Sequence, residues 1–212
     1  MRMATIMFLS GVTNDRIEPR LIDAGVGVLV QPDSGYVRRA TAYPAFAADN
    51  GCFSKGATFD AAAWLRWLAT VPVEGCLFAV APDVVGDHDA TVARSAPWLA
   101  EIRALGLPAA FVGQDGATVA TVPWDSFDVL FIGGSTEWKL GPEAAALVAE
   151  AKRRGMWVHM GRVNSYKRLA YAAAIGCDSA DGTYLAFGPD ANLPKLEGWL
   201  RRLDAPDLFA AA

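Results

Sequence analysis

Eight short apolar runs with strand-like composition alternate with longer stretches of helical period, and polar residues with glycines follow six successive runs. Together these predict an α/β chain folded as a compact (β/α)8 barrel of the TIM type. The 212 residues fit one domain at the short end for such a barrel. No internal repeat, low-complexity linker or second domain interrupts the alternation. The predicted barrel covers residues 1–206, and the Ala-rich end at 207–212 reads as a frayed tail.

The strand candidates are residues 5–9, 27–30, 45–48, 76–81, 109–112, 129–132, 157–160 and a short one at 176–178. Helical patterns fill most of the gaps. Residues 59–68 carry apolar side chains on a helical period, with Thr58 as N-cap. Residues 89–105 read the same way and are expected to kink or split at Pro97. Residues 142–154 begin with Pro142 at a first-turn position and stop at Gly155. Residues 165–175 follow Asn164, a good capping residue, and 193–203 form a terminal helix.

The composition is 53% hydrophobic and 20% charged, which supports a buried core and excludes a disordered chain. No apolar run approaches the roughly 20 residues of a membrane span. The patch at residues 6–9 reads as a first strand and not as a signal peptide. Cys52, Cys76 and Cys177 are scattered, as reduced thiols of a cytoplasmic protein would be, and do not form a disulfide framework. A net charge of -4 gives no general attraction to phosphate. Basic residues nevertheless thicken late in the chain, where Arg162, Lys167 and Arg168 follow the seventh strand candidate. Barrels often hold phosphate in that region. Helix capping and a solvated face are the ordinary alternatives.

Strand C-termini of a barrel converge on one mouth, so residues following the strands share a site. Asp49-Asn50-Gly51-Cys52-Phe53 follows the third strand candidate, Asp83 the fourth, and Gln114-Asp115 the fifth. Gly133-Gly134-Ser135 follows the sixth, Gly161-Arg162 the seventh, and Asp178-Ser179-Ala180-Asp181 ends the eighth. Taken singly, Asp beside Gly is ordinary turn chemistry. Taken together, they supply a carboxylate able to displace a base at an anomeric carbon and a second able to act as acid and base. An aromatic ring and a methionine could sandwich the base. His88 reads as a surface residue beginning a helix, and His159 as packed in the barrel or lining its mouth. Neither has the partners a metal site needs.

The order of these motifs resembles the queuine/archaeosine tRNA-guanine transglycosylase superfamily. Asp49 to Phe53 resembles that family's Asp-Ser-Gly-Gly-Phe segment, which implies Asp49 as general acid/base and Phe53 as one stacking face. The resemblance further implies that Asp83 and Gln114 read the base and that Gly133-Gly134 match a Gly-Gly-Leu loop, the Gly134 N–H facing the purine carbonyl. Met160-Gly161 resembles a Met-Gly pair, with Met160 on the opposite face of the base. Gly176 to Asp181 resembles Gly-x-Asp-x-Phe-Asp, which makes Asp181 the nucleophile.

The resemblance spans roughly residues 45–183, and the departures are informative. Ser135 stands in place of Leu and Ala180 in place of Phe, and Glu137 is displaced from the family's usual glutamate. No Cys-x-Cys-x-x-Cys…His zinc motif follows Asp181, and no RNA-binding domain is appended. The chain is therefore most similar to the small phage and bacterial 7-deazaguanine DNA transglycosylases. That implies replacement of guanine in nucleic acid by a 7-deazaguanine base, such as 7-cyano-7-deazaguanine, with no metal and no cofactor. DNA is the expected polymer, with Arg162, Lys167 and Arg168 on its backbone. A homodimer or an accessory protein would add binding surface. A tRNA-guanine transglycosylase, a nucleoside or sugar-phosphate hydrolase, and a non-catalytic barrel that binds the modified base are the competing readings.

Overall fold

A computed structural model describes residues 6–11, 14–32 and 37–204. Eight parallel strands close into a barrel in sequence order: β1 (Met7–Ser10), β2 (Gly27–Val30), β3 (Phe46–Ala48), β4 (Cys76–Val80), β5 (Ala109–Gly113), β6 (Val129–Ile132), β7 (Trp157–Met160) and β8 (Ser179–Gly182). The helices are α1 (Glu18–Asp23), α2 (Cys52–Lys55), α3 (Ala61–Leu68), α4 (His88–Ala104), α5 (Thr136–Lys139), α6 (Pro142–Arg153), α7 (Tyr166–Ile175) and α8 (Pro189–Asp204). The proposed tail at 207–212 lies outside the described residues. Among the described residues no helix is long and apolar enough to cross a membrane.

Alternation along the strands divides the core in two. Leu9, Ala47, Phe78, Val80, Ala110, Val112 and Val129 fill the barrel interior. Their neighbours, among them Phe111, Leu130, Ile132, Val158 and Met160, pack outward against the helices. A strand's period of two produces this division, because adjacent side chains point to opposite faces.

Three sequence expectations need correction. β8 begins at Ser179, three residues beyond the expected start at Gly176. Gly176 (φ 102°) is instead the left-handed cap of α7, and the Cys177 N–H bonds the Ala172 carbonyl at 2.9 Å. The caps of α3 and α7 are Asp60 and Ser165, whose side chains accept from the Ala63 and Arg168 amides, not Thr58 and Asn164. α4, capped by Asp87, runs through Pro97 as one helix and is not split there.

Candidate active site

A cavity of about 490 Å³ opens at the C-terminal ends of the strands. Leu29, Val80, Val112 and Phe131 give it apolar walls, while Asp49, Asp83 and Asp181 bring three carboxyls to it. Gln114, Gly133, Gly134, Gly161, Arg162 and Phe53 also line it. The mouth thus gathers residues from loops that are more than a hundred positions apart in sequence.

Asp49 leaves β3 with its N–H bonded to the Val30 carbonyl at 2.7 Å. One of its oxygens accepts from the Asn50 N–H at 2.9 Å. Burial, and then the neighbouring charges of Asp181 and Asp83, push its carboxyl up to about 7. This is the behaviour required of a group that donates and recovers a proton near neutral pH.

Asp83 is buried, and each of its oxygens accepts one side-chain amide N–H. Asn50 Nδ2 donates to one oxygen at 2.9 Å and Gln114 Nε2 to the other at 2.6 Å. Burial raises its carboxyl above the ordinary range, and those two amide bonds oppose the rise. Gln114 Oε1 in turn accepts from the Gly86 N–H at 3.0 Å and the Gly134 N–H at 2.8 Å. Gly134 therefore directs its N–H at Gln114 and not at a ligand carbonyl, which corrects the expected role. Gln114 keeps one Nε2–H beyond the one donated to Asp83. Asn50, to which the sequence assigns no role, ties the β3 loop to the residues after β4 through Asp83 and through the Ala81 carbonyl at 2.8 Å.

Asp181 lies within β8 and points inward. Its Oδ1 accepts from the Arg162 N–H at 3.3 Å and lies 3.0 Å from His159 Nε2. His159 Nδ1 lies 2.8 Å from Ser179 Oγ, which accepts from Trp157 Nε1 at 2.9 Å. Sequence reading placed His159 in the barrel or at its mouth but found no partner for it. The partners are on β8, and parallel pairing of His159 with Ser179 brings them alongside.

Met160 does not reach the cavity. Its side chain is fully buried in the layer between barrel and helices, because it follows inward-facing His159 by one residue. A stacking role on the far face of a bound base is thereby removed. Phe131, directly across from His159 on β6, is the aromatic surface that lines the cavity instead. Phe53 is 67% exposed at the rim, with the Arg162 guanidinium 5.3 Å from its ring centre.

Arg162 adopts a left-handed backbone (φ 59°), and its side chain donates to the Gly134 carbonyl. Among the described residues that line the cavity it is the basic one; Lys167 and Arg168 lie beyond it in the first turn of α7. Behind the loop, buried Lys139 donates to the Gly161 carbonyl at 2.6 Å, a partner the sequence did not disclose. Burial, reinforced by the charge of Arg162, pushes its ammonium down to about 7.

Gly134 (φ 61°) leaves no room for a side chain: a Cβ would sit 2.3 Å from a Trp138 ring carbon and 2.9 Å from Asp115 Oδ2. Gly134→Ala is expected to destabilise the protein by about 1–3 kcal/mol, from backbone strain and overpacking together. Equilibrium denaturation measures this, and an unchanged midpoint would show that the loop relaxes freely.

No protein family's sequence model matches the chain, and no curated protein matches it. Solved structures do. A mutant tryptophan synthase alpha-subunit from the hyperthermophile Pyrococcus furiosus superposes with a TM-score of 0.59 at 12% identity, covering 95% of this chain and 98% of that one. A protein described as native KDPGal gives 0.55 at 16% identity, over 93% and 92% of the two chains. Tryptophan synthase from M. tuberculosis gives 0.53 at 16%, over 95% and 92%. At such identities the likeness is one of fold, and the chain is a TIM barrel.

Proposed function

We propose that this protein is a base-exchange glycosyltransferase that replaces guanine in nucleic acid, DNA in preference to tRNA, with a 7-deazaguanine base. The observation that carries the reading is the carboxyl pair at the mouth. Asp49 has its carboxyl raised to about 7, as a proton carrier requires, and Asp181 has one oxygen held between the Arg162 N–H and His159 Nε2. Carboxyls with separated roles are the equipment for displacement at an anomeric carbon with retention.

In this mechanism Asp181 Oδ2 attacks C1′ of the target nucleotide as the bond from C1′ to the base nitrogen breaks. Asp49 gives its proton to the departing guanine. The sugar remains as an ester on Asp181. The incoming 7-deazaguanine base then loses its ring N–H proton to Asp49, and that nitrogen attacks C1′ and expels Asp181 as a carboxylate. Two inversions restore the original configuration. The apolar walls with Phe131 suit a flipped base, and Phe53 with Arg162 suits its stacking at the rim. Asp83 and the remaining Nε2–H of Gln114 offer an acceptor and a donor for the base edge.

The test is incubation with isotopically labelled 7-cyano-7-deazaguanine and duplex DNA, single-stranded DNA or unmodified tRNA at one low salt concentration. Mass spectrometry of the digested polymer is the readout. Label in DNA is expected. Label in tRNA with none in DNA reverses the choice of polymer. Release of guanine without incorporation identifies a hydrolase. Binding of the base with neither outcome identifies a non-catalytic barrel.

A further inference from the structure

The proposed reaction uses Asp181 and Asp49, yet the barrel interior beneath Asp181 contains a polar chain that this chemistry leaves unassigned. Trp157, His159, Ser179 and Asp181 are successive inward positions on β7 and β8. His159 and Ser179 are fully buried. The imidazole is flanked by Phe78 and Phe131, with ring centres 5.0 Å and 4.6 Å away. A polar set in so apolar a place needs internal partners, because unsatisfied buried groups are costly.

With Asp181 as the carboxylate the reaction needs and a neutral imidazole, those partners assign one direction to each hydrogen bond. An indole N–H is only a donor, so Ser179 Oγ accepts from Trp157 Nε1 at 2.9 Å. An ionised carboxylate is only an acceptor, so His159 Nε2 must carry a proton toward Asp181 Oδ1 at 3.0 Å. In a neutral imidazole Nδ1 is then an acceptor, and the Ser179 hydroxyl 2.8 Å away supplies its hydrogen. Trp157 donates to Ser179, Ser179 to His159, and His159 to Asp181.

We infer that His159 is a positioning residue for Asp181, held as its Nε2–H tautomer by a one-way Trp157–Ser179 relay. The inference rests on the proposed role of Asp181 as nucleophile. With the Arg162 N–H, His159 occupies Oδ1 and leaves Oδ2 as the attacking atom. The same two donors stabilise the carboxylate that re-forms when the second displacement expels it. The relay fixes the orientation of the imidazole much as a buried partner does in other acid–base sites, by fixing which nitrogen bears the proton.

The test has an arm that needs no activity. The chain contains two histidines, so long-range proton–nitrogen correlation of the ¹⁵N-histidine-labelled protein at neutral pH yields two ring systems. The one that responds to Asp181→Asn is His159. It is expected as a neutral ring protonated at Nε2. Protonation at Nδ1, or an imidazolium, overturns the relay. In exchange kinetics, His159→Leu should lower kcat by roughly 10–100-fold, the range for losing a hydrogen bond to a charged group. KM for the incoming base should stay within about twofold, since this donor makes no contact with it. His159→Gln, which can restore an N–H near the Nε2 position, should recover most of the loss. Wild-type kcat in correctly folded His159→Leu overturns the positioning role. If no polymer is modified at all while the tautomer is as expected, the base-exchange reading fails and the relay stands as a device for orienting Asp181.

Discussion

Asp181→Asn is expected to lower base exchange by at least about 10³-fold while leaving the barrel folded. Removing a group that forms the covalent bond eliminates the route itself, so the loss resembles that of other covalent nucleophiles and not that of a binding contact. The substitution keeps the side-chain volume, and its amide oxygen can still accept from His159 and Arg162. Thermal unfolding should therefore move little, which separates loss of chemistry from loss of fold. A second readout is the adduct. Wild-type enzyme given DNA without an incoming base should form a protein–DNA complex that survives denaturing electrophoresis, and Asp181→Asn should not. Near-normal exchange by the variant would remove Asp181 from the mechanism.

The second large effect concerns Asp49, and it links activity to stability. For the first displacement Asp49 must be protonated, so kcat/KM for the polymer is expected to fall as pH rises through about 7. Asp49→Asn should lose most exchange, because an amide cannot give up a proton to the departing base. Its effect on stability has the opposite sign. The folded protein holds this proton up to about 7, whereas an unfolded chain releases it near 3.8. Stability therefore declines as pH rises between those values, and the full penalty persists above 7. Asp49→Asn carries no such penalty. It should melt higher than wild type at about pH 8 and nearly the same at about pH 4, by a few kcal/mol at most. Calorimetry at the two pH values decides it. A variant that is less stable at the higher pH would mean that the carboxylate is held by favourable contacts and is not a strained proton carrier.

Both substitutions should leave binding of the free base in place. Each variant retains the groups proposed to receive it: Phe131, Asp83 and Gln114. Base binding without turnover is the expected phenotype of both.

Local pattern carried much of the fold. Alternating β-like and helical runs specified an eight-stranded barrel, and β2, β6 and β7 appear over the same residues that sequence reading assigned. Strand ends followed by Asp49, Asp83, Gln114 and Gly133-Gly134 specified one mouth, since every parallel strand of a closed barrel ends on the same side. What is legible in this way depends on short-range periodicity and turn chemistry.

Other features were decided between strands. Asp178 reads as the end of a strand, yet it accepts Lys152 Nζ at 2.7 Å on each oxygen, and the strand begins after it. The side of Met160 follows from the inward placement of His159, and that placement depends on β7 lying between β6 and β8 in one register. Gln114 could be assigned to the mouth from its position, but not its engagement by Asp83 and Gly86 from the loop after β4 and by Gly134 from the loop after β6. The contacts of His159 with Ser179 and Asp181 are of the same kind. A sequence specifies which residues share a face of one strand, because side chains alternate along the backbone. It leaves open which residue of the next strand lies opposite, because that register is set by closure of the whole barrel and the packing of its interior.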